Sequence, residues 1–396
     1  MFHQEILLPT EISGGDFGFP DDLRALDCFS IVKSKDALSF VENPRLKKWT
    51  AHRNFVIFGT GGSSLGGQCI LAAFPDGDRD VRFISSLDSS RLIREFSRLD
   101  PRETGFLCIS KSGETLETVA QTLFAVDLAK SWENFQDKFV FITEDRQSSL
   151  KEIALHYDFL CLDHPKTIGG RFSLFTVVGM LPALLCGVDP GQVLDGGRRV
   201  LENFENSIEK VEAGAAFMAD GFRNGFRQHV AFIYSDKLAL FGQWLAQMYA
   251  ESAGKSDRGI TPITAIGSID QHSQLQLYLD GCSDKCFTFF LEKQNPRLTM
   301  PDGFLPPDFF CFRNKTAADL FETQCLATMT TILEKGCRLR RLGIPEITPE
   351  ILGALFMHFM LEVVCVCRLI GVDPFGQPAV ERGKIMAKEL LECGRC

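Results

Sequence analysis

Between residues 55 and 162 the chain repeats one pattern: a short continuous apolar run, then a longer stretch of helical character. The runs are Phe55-Val56-Ile57-Phe58, Val81-Arg82-Phe83-Ile84, Phe106-Leu107-Cys108-Ile109, Phe139-Val140-Phe141-Ile142 and Phe159-Leu160-Cys161-Leu162. Apolar strands that alternate with helices form a parallel sheet covered on both faces. The pattern predicts a doubly wound α/β domain whose ligands bind beyond the carboxyl ends of the strands.

A second cycle follows. Gly170 to Val188 reads as one long helix, Val230-Ala231-Phe232-Ile233-Tyr234 as a strand, Leu238 to Ala253 as a helix and Cys286 to Leu291 as a strand. From Ala317 onward the pattern is mostly helical, broken at Gly343-Ile344-Pro345 and at Asp373-Pro374-Phe375-Gly376. The expected organisation is an N-terminal extension over residues 1–45, a first α/β domain over 46–190 and a second over 191–396 that ends in helices. The boundary falls near Asp189-Pro190-Gly191. Two stretches are apolar enough to test for a membrane span. Phe172 to Val188 is short and contains Pro182, while Ile351 to Val372 carries His358, Glu362 and Arg368, each costly in hydrocarbon. Both read as helices buried in a core.

Composition narrows the partners. The 396 residues hold 42 Lys and Arg against 51 Asp and Glu, a formal charge of −9, so general nucleic-acid or membrane-surface binding is not expected. An anion would have to be held in a local pocket of donors. The first thirty residues show no apolar segment of a secretory signal, and the 14 cysteines are scattered as reduced, buried thiols would be. Both features suit a cytoplasmic protein. Cys393-Gly394-Arg395-Cys396 has redox spacing without a second pair to complete a zinc site. The histidines show no ligand spacing, and neither metal nor cofactor is expected.

Six segments carry candidate chemistry. Gly59-Thr60-Gly61-Gly62-Ser63-Ser64-Leu65-Gly66-Gly67 follows a strand, and the amides of such a turn can hold an anion, although close packing alone would also explain its glycines. Ser110-Lys111-Ser112-Gly113-Glu114-Thr115 follows another strand and gathers hydroxyls and a cation at a helix start, where one phosphate fits. Gly169-Gly170-Arg171 opens an apolar helix with a charge. Glu251-Ser252-Ala253-Gly254-Lys255 places a carboxylate at a helix C-terminus, against the dipole, which invites a functional explanation. His272, in Asp270-Gln271-His272-Ser273, would carry protons if it acts. Pro374 to Lys384 brings Gln377 and Lys384, the latter one turn after Glu381, with which it would form an ordinary surface pair.

In this order the six segments resemble one family, glucose-6-phosphate isomerase or phosphoglucose isomerase, from about Phe55 to Lys384. The resemblance implies two sugar-isomerase (SIS) domains, each a doubly wound parallel sheet flanked by helices, with a helical C-terminal region. By it, Gly62, Ser63, Ser110, Lys111, Ser112 and Thr115 match positions that hold the sugar phosphate. Glu251 matches the base that moves a proton between C1 and C2, and Arg171 the cation that stabilises the enediolate. His272 and Lys384 match the groups that open the sugar ring, and Gln377 a substrate contact. It also implies a homodimer in which the histidine comes from the partner subunit. The chain departs from the family at Ala253, Gly376 and Ala379, and Glu114 adds a negative charge beside the phosphate turn. The implied reaction interconverts glucose 6-phosphate and fructose 6-phosphate in glycolysis and gluconeogenesis without a metal. The alternatives are a broader SIS isomerase that also accepts mannose 6-phosphate, and a non-catalytic sugar-phosphate sensor.

Overall fold

The computed structural model describes residues 2–7, 23–75, 77–301 and 303–394. The end of the Cys393–Cys396 motif lies outside them. Among the described residues there are ten strands: β1 (His3–Leu7), β2 (Asn54–Phe58), β3 (Asp80–Ile84), β4 (Thr104–Ile109), β5 (Phe139–Thr143), β6 (Leu160–Asp163), β7 (Gln228–Tyr234), β8 (Thr261–Ile266), β9 (Lys285–Glu292) and β10 (Arg338–Ile344). They form two five-stranded sheets, ordered β3-β2-β4-β5-β6 and β8-β7-β9-β10-β1. All pairs are parallel except the last, where β1 runs antiparallel to β10 with His3 opposite Gly343.

The first sheet takes the five apolar runs. Phe55, Ile57, Leu107, Ile109, Val140 and Ile142 point into the larger core, while Val56, Phe58, Phe106, Phe139 and Phe141 build a second, aromatic-rich cluster on the opposite face. This two-sided burial is why the runs are apolar without alternation. Its strand order reverses between β2 and β4, so the turns that follow those strands sit side by side at the switch point.

The second sheet departs from the sequence reading in three places. β10, Arg338-Leu339-Arg340-Arg341-Leu342-Gly343-Ile344, lies in a region expected to be helical, because its arginines hide a strand. Arg340 is fully buried and forms a two-bonded pair with Glu362, at 2.7 and 3.0 Å. Burial alone would raise the Glu362 carboxyl, but the Arg340 charge brings it down to about 2. β8 carries Pro262 at a sheet edge, where proline is tolerated. β1 recruits residues 3–7 of the expected extension as the other edge.

The long segment expected as one helix from Gly170 to Val188 is also split. A 3-10 turn, Gly170–Phe175, precedes the α-helix Val177–Leu185. Thr176 separates them: its hydroxyl accepts from Val178 N and donates to the Ser173 carbonyl. Pro349–Leu369 is long and apolar enough to cross a membrane and is packed inside the protein, chiefly against the helices Pro190–Glu202 and Phe204–Arg223.

Candidate active site

The turn after β4 is built around hydroxyls. Ser110 Oγ lies 2.9 Å from Thr115 Oγ1 and 3.4 Å from Ser112 Oγ, and accepts from Gly113 N at 3.1 Å. Thr115 occupies the N-cap position of helix Leu116–Ala129, yet its side chain makes no capping bond. The start of that helix is thus left to a ligand or solvent, with three hydroxyls beside it. Glu114 does not oppose this. Its carboxylate turns away to Ser149, accepting from the amide at 2.7 Å and the hydroxyl at 2.8 Å at the start of helix Ser149–His156. Lys111 also turns aside: its Nζ donates to the Lys166 carbonyl at 3.0 Å and pairs with Glu144 at 3.3 Å.

The glycine-rich turn after β2 joins this cradle to the rest of the site. A side-chain carbon at Gly59 would sit 3.3 Å from the Ile109 carbonyl, next to Ser110. One at Gly62 would fall 2.3 to 2.5 Å from the backbone of Gly170 and Arg171, so only glycine allows this approach. At Gly61 such a carbon would meet the Gln247 side-chain amide at 2.7 Å. Ser63 lies in the same short turn, its amide bonded to the Thr60 carbonyl.

Arg171 stands at the centre and is buried. Its Nε–H donates to Ser252 Oγ at 2.7 Å. One terminal nitrogen reaches Glu251 Oε2 at 3.3 Å and Gln377 Oε1 at 3.1 Å. The other donates to the carbonyls of Pro374 and Gly376. Five N–H groups meet five acceptors, which fixes the guanidinium plane. Burial pulls the Arg171 pKa below its ordinary value, and the neighbouring Glu251 carboxylate opposes the shift. Glu251 is part-exposed near the end of helix Ala239–Ala253, and its second oxygen accepts from Gln247, one turn earlier, at 2.8 Å. Gly376 has φ +66°, a conformation open to glycine, and this bend lets its carbonyl face Arg171.

Residues distant in sequence thus approach one another: Gly59 comes close to the strand end before Ser110, Gly62 to the backbone of Gly170 and Arg171, and Arg171 bonds both Glu251 and Gln377. His272 and Lys384 stand elsewhere. His272 is exposed, just past the 3-10 turn Ile269–Gln271. Lys384 is exposed on helix Glu381–Glu392 and pairs with Glu381 at 2.7 Å, the surface pairing its spacing suggests. Sequence reasoning did not single out Gln247 or the role of Ser252. The i, i+4 spacing of Gln247 and Glu251 was the available signal for the first.

The family model for phosphoglucose isomerase matches residues 39–272, more than half of the chain. The chain belongs to the phosphoglucose isomerase family. A glucose-6-phosphate isomerase of Thermus thermophilus is 30% identical over 347 residues, covering 85% of this chain and 84% of that protein. The glucose-6-phosphate isomerase of Rubrobacter xylanophilus is 32% identical, covering 84% and 81%. Among solved structures, a hypothetical protein of Thermus thermophilus superposes with a TM-score of 0.84 at 27% identity over 94% of this chain and 91% of that one. Phosphoglucose isomerase membership accounts for the two sheets of like order and for the six segments occurring in one succession.

Proposed function

We infer that the chain interconverts glucose 6-phosphate and fructose 6-phosphate. The observation that carries this is the pairing of Arg171 with Glu251 and Gln377 across the glycine turn from an uncapped, hydroxyl-lined helix start. An isomerase of this kind needs an anion site for the phosphate, a base on one face of the open chain and a cation where oxyanion charge develops. Ser110, Ser112, Thr115, the Gly62 amide and the Ser63 hydroxyl bind the phosphate, with Lys111 able to swing from Glu144 toward it. Glu251 takes the proton from C2 and returns it to C1. Arg171 faces the enediolate oxygens through the one terminal nitrogen whose partners, Glu251 and Gln377, are side chains. Its other donors are committed to Ser252 and to backbone carbonyls. The relatives' names favour this reaction over the mannose-accepting and sensor readings.

Ring opening falls to His272 and Lys384, and their placement supports a homodimer. Helix Glu381–Glu392 buries no residue in the single chain and exposes Ile385, Met386, Leu390 and Leu391. A second copy would cover that face and bring its own exposed His272 to the neighbouring site. The setting is the cytoplasm, where glycolysis and gluconeogenesis use these sugars. The chemistry is complete with side chains alone, so the reaction is metal-independent. A coupled assay of the purified protein with fructose 6-phosphate, with and without a chelator, tests the reading. Turnover that survives exhaustive chelation is expected. Absence of turnover, or a loss restored by one divalent ion, would overturn it.

A further inference from the structure

The segment that carries Gln377 into the site has no secondary structure of its own, and cations hold it by its backbone. At the end of helix Pro349–Leu369, Arg223 takes the Leu369 carbonyl at 2.8 Å, and just beyond it Arg258 takes those of Ile370 and Gly371. From there the carbonyls alternate between two cations. Lys255 Nζ donates to Asp373 and Phe375, each at 2.6 Å, while Arg171 takes Pro374 and Gly376. The Asp373 side chain accepts from Phe375 N at 2.9 Å and tightens the bend. Every backbone carbonyl is an obligatory acceptor, and those of Leu369 to Gly371 also sit at a helix C-terminus with its negative partial charge, so cations along this segment are electrostatically matched.

Lys255 has a particular place in this row. It lies two residues past the end of the helix that presents Glu251, and it grips the strap on either side of Pro374, the first residue that Arg171 holds. It therefore ties the base-bearing helix to the segment that ends in Gln377 and leads on to Lys384. A strap held by Arg171 alone would pull on the same guanidinium that faces the substrate.

We propose that Lys255 is a positioning residue of the isomerase: by clamping the Asp373 and Phe375 carbonyls it fixes Gln377 against Arg171 and keeps that guanidinium aligned with Glu251. The proposal rests on the reading of Arg171, Glu251 and Gln377 as the sugar site. Displacements of about 1 Å in such groups cost up to roughly a hundredfold in rate. Lys255→Met should lower kcat with fructose 6-phosphate by about ten- to a hundredfold. KM should change by less than about threefold, because the phosphate contacts are untouched.

Amide hydrogen exchange over residues 373–384 should accelerate in the same variant, with exchange in β2 and β4 unchanged. Lys255→Arg, which keeps donors within reach of both carbonyls, should recover most of the rate. Arg258→Met loosens only residues 370–371 and should leave kcat within about threefold of the parent. Faster strap exchange with an unchanged kcat would overturn the positioning role. So would a kcat loss without faster exchange, or one matched by Arg258→Met. If the parent protein shows no isomerase turnover, the functional reading fails, and unchanged exchange in Lys255→Met would separately remove the clamp.

Discussion

In the first sheet, β2 and its neighbour β4 end in turns of glycine and hydroxyl residues, and the second of these turns leads into a helix that Thr115 does not cap. In the second, β7 and its neighbour β9 occupy the same places in the same strand order, and their ends are closed by a charge of the protein's own. Glu292, at the end of β9, is buried. It accepts from Ser235 Oγ, just past β7, at 2.5 Å and from Ile347 N at 3.2 Å, with Lys237 3.5 Å away. Ser235 meanwhile caps the turn Asp236–Leu238. Thus the first switch point keeps hydroxyls and an uncapped helix start, where the proposed phosphate would sit, while at the other an internal carboxylate takes up the Ser235 hydroxyl. Topology alone supplies a place for an anion. Which sheet takes a ligand there depends on whether the chain fills that place itself.

On this view the second sheet serves catalysis through the helix that follows β7, which carries Glu251. The sharpest way to break that division is Glu251→Gln, which keeps the shape and removes the proposed base. It should cost at least roughly 10²- to 10⁴-fold in kcat with little change in substrate affinity, and exchange of the C2 proton with solvent should vanish in parallel. Near-normal turnover and proton exchange would move the base to another carboxylate.

A smaller effect is expected at the open switch point. Ser110→Ala and Lys111→Ala should each raise KM by about tenfold while lowering kcat less, since phosphate is held equally in ground and transition states. Ser110 has the stronger claim, because its hydroxyl joins those of Ser112 and Thr115. Lys111 must first leave Glu144 and the Lys166 carbonyl. Glu144→Gln would release it and should lower KM. Steady-state kinetics of the three variants separates the contributions, and an unchanged KM in both alanine variants would place the phosphate elsewhere.

The two sheets also differ in how openly the sequence announces them. Each strand of the first contains a short, largely apolar run, so pattern alone finds all five. In β10 the arginines break the apolar run, and the reason they are tolerated, the buried pairing of Arg340 with Glu362, joins residues 22 apart on different elements. The edge strands β1 and β8 need to be apolar on only part of their surface. A similar limit applies at the site. Arg171, Glu251 and Gln377 stand out as charged or polar residues in distinctive settings. The grip of Lys255 on Asp373 and Phe375 does not, because its partners are backbone carbonyls that any residue supplies. What His272 and Lys384 would meet in the proposed second copy is equally illegible, since the faces that carry them are exposed in the single chain.

The smallest catalytic effect, and the most direct check on the closed switch point, belongs to Glu292→Gln. The amide can still accept from Ile347 N, but its nitrogen cannot accept from Ser235 Oγ, and the attraction to Lys237 is lost. Lys237 is substantially exposed, so that attraction adds little. The main loss is a buried hydrogen bond to a charged group, which costs about 1–3 kcal/mol of stability. A lower urea midpoint is therefore expected, with kcat and KM for fructose 6-phosphate within about twofold of the parent. If instead KM rose as expected for Ser110→Ala, the second switch point would be taking part in substrate binding. The carboxylate could then no longer be regarded as a built-in substitute for the phosphate proposed to bind at the first sheet.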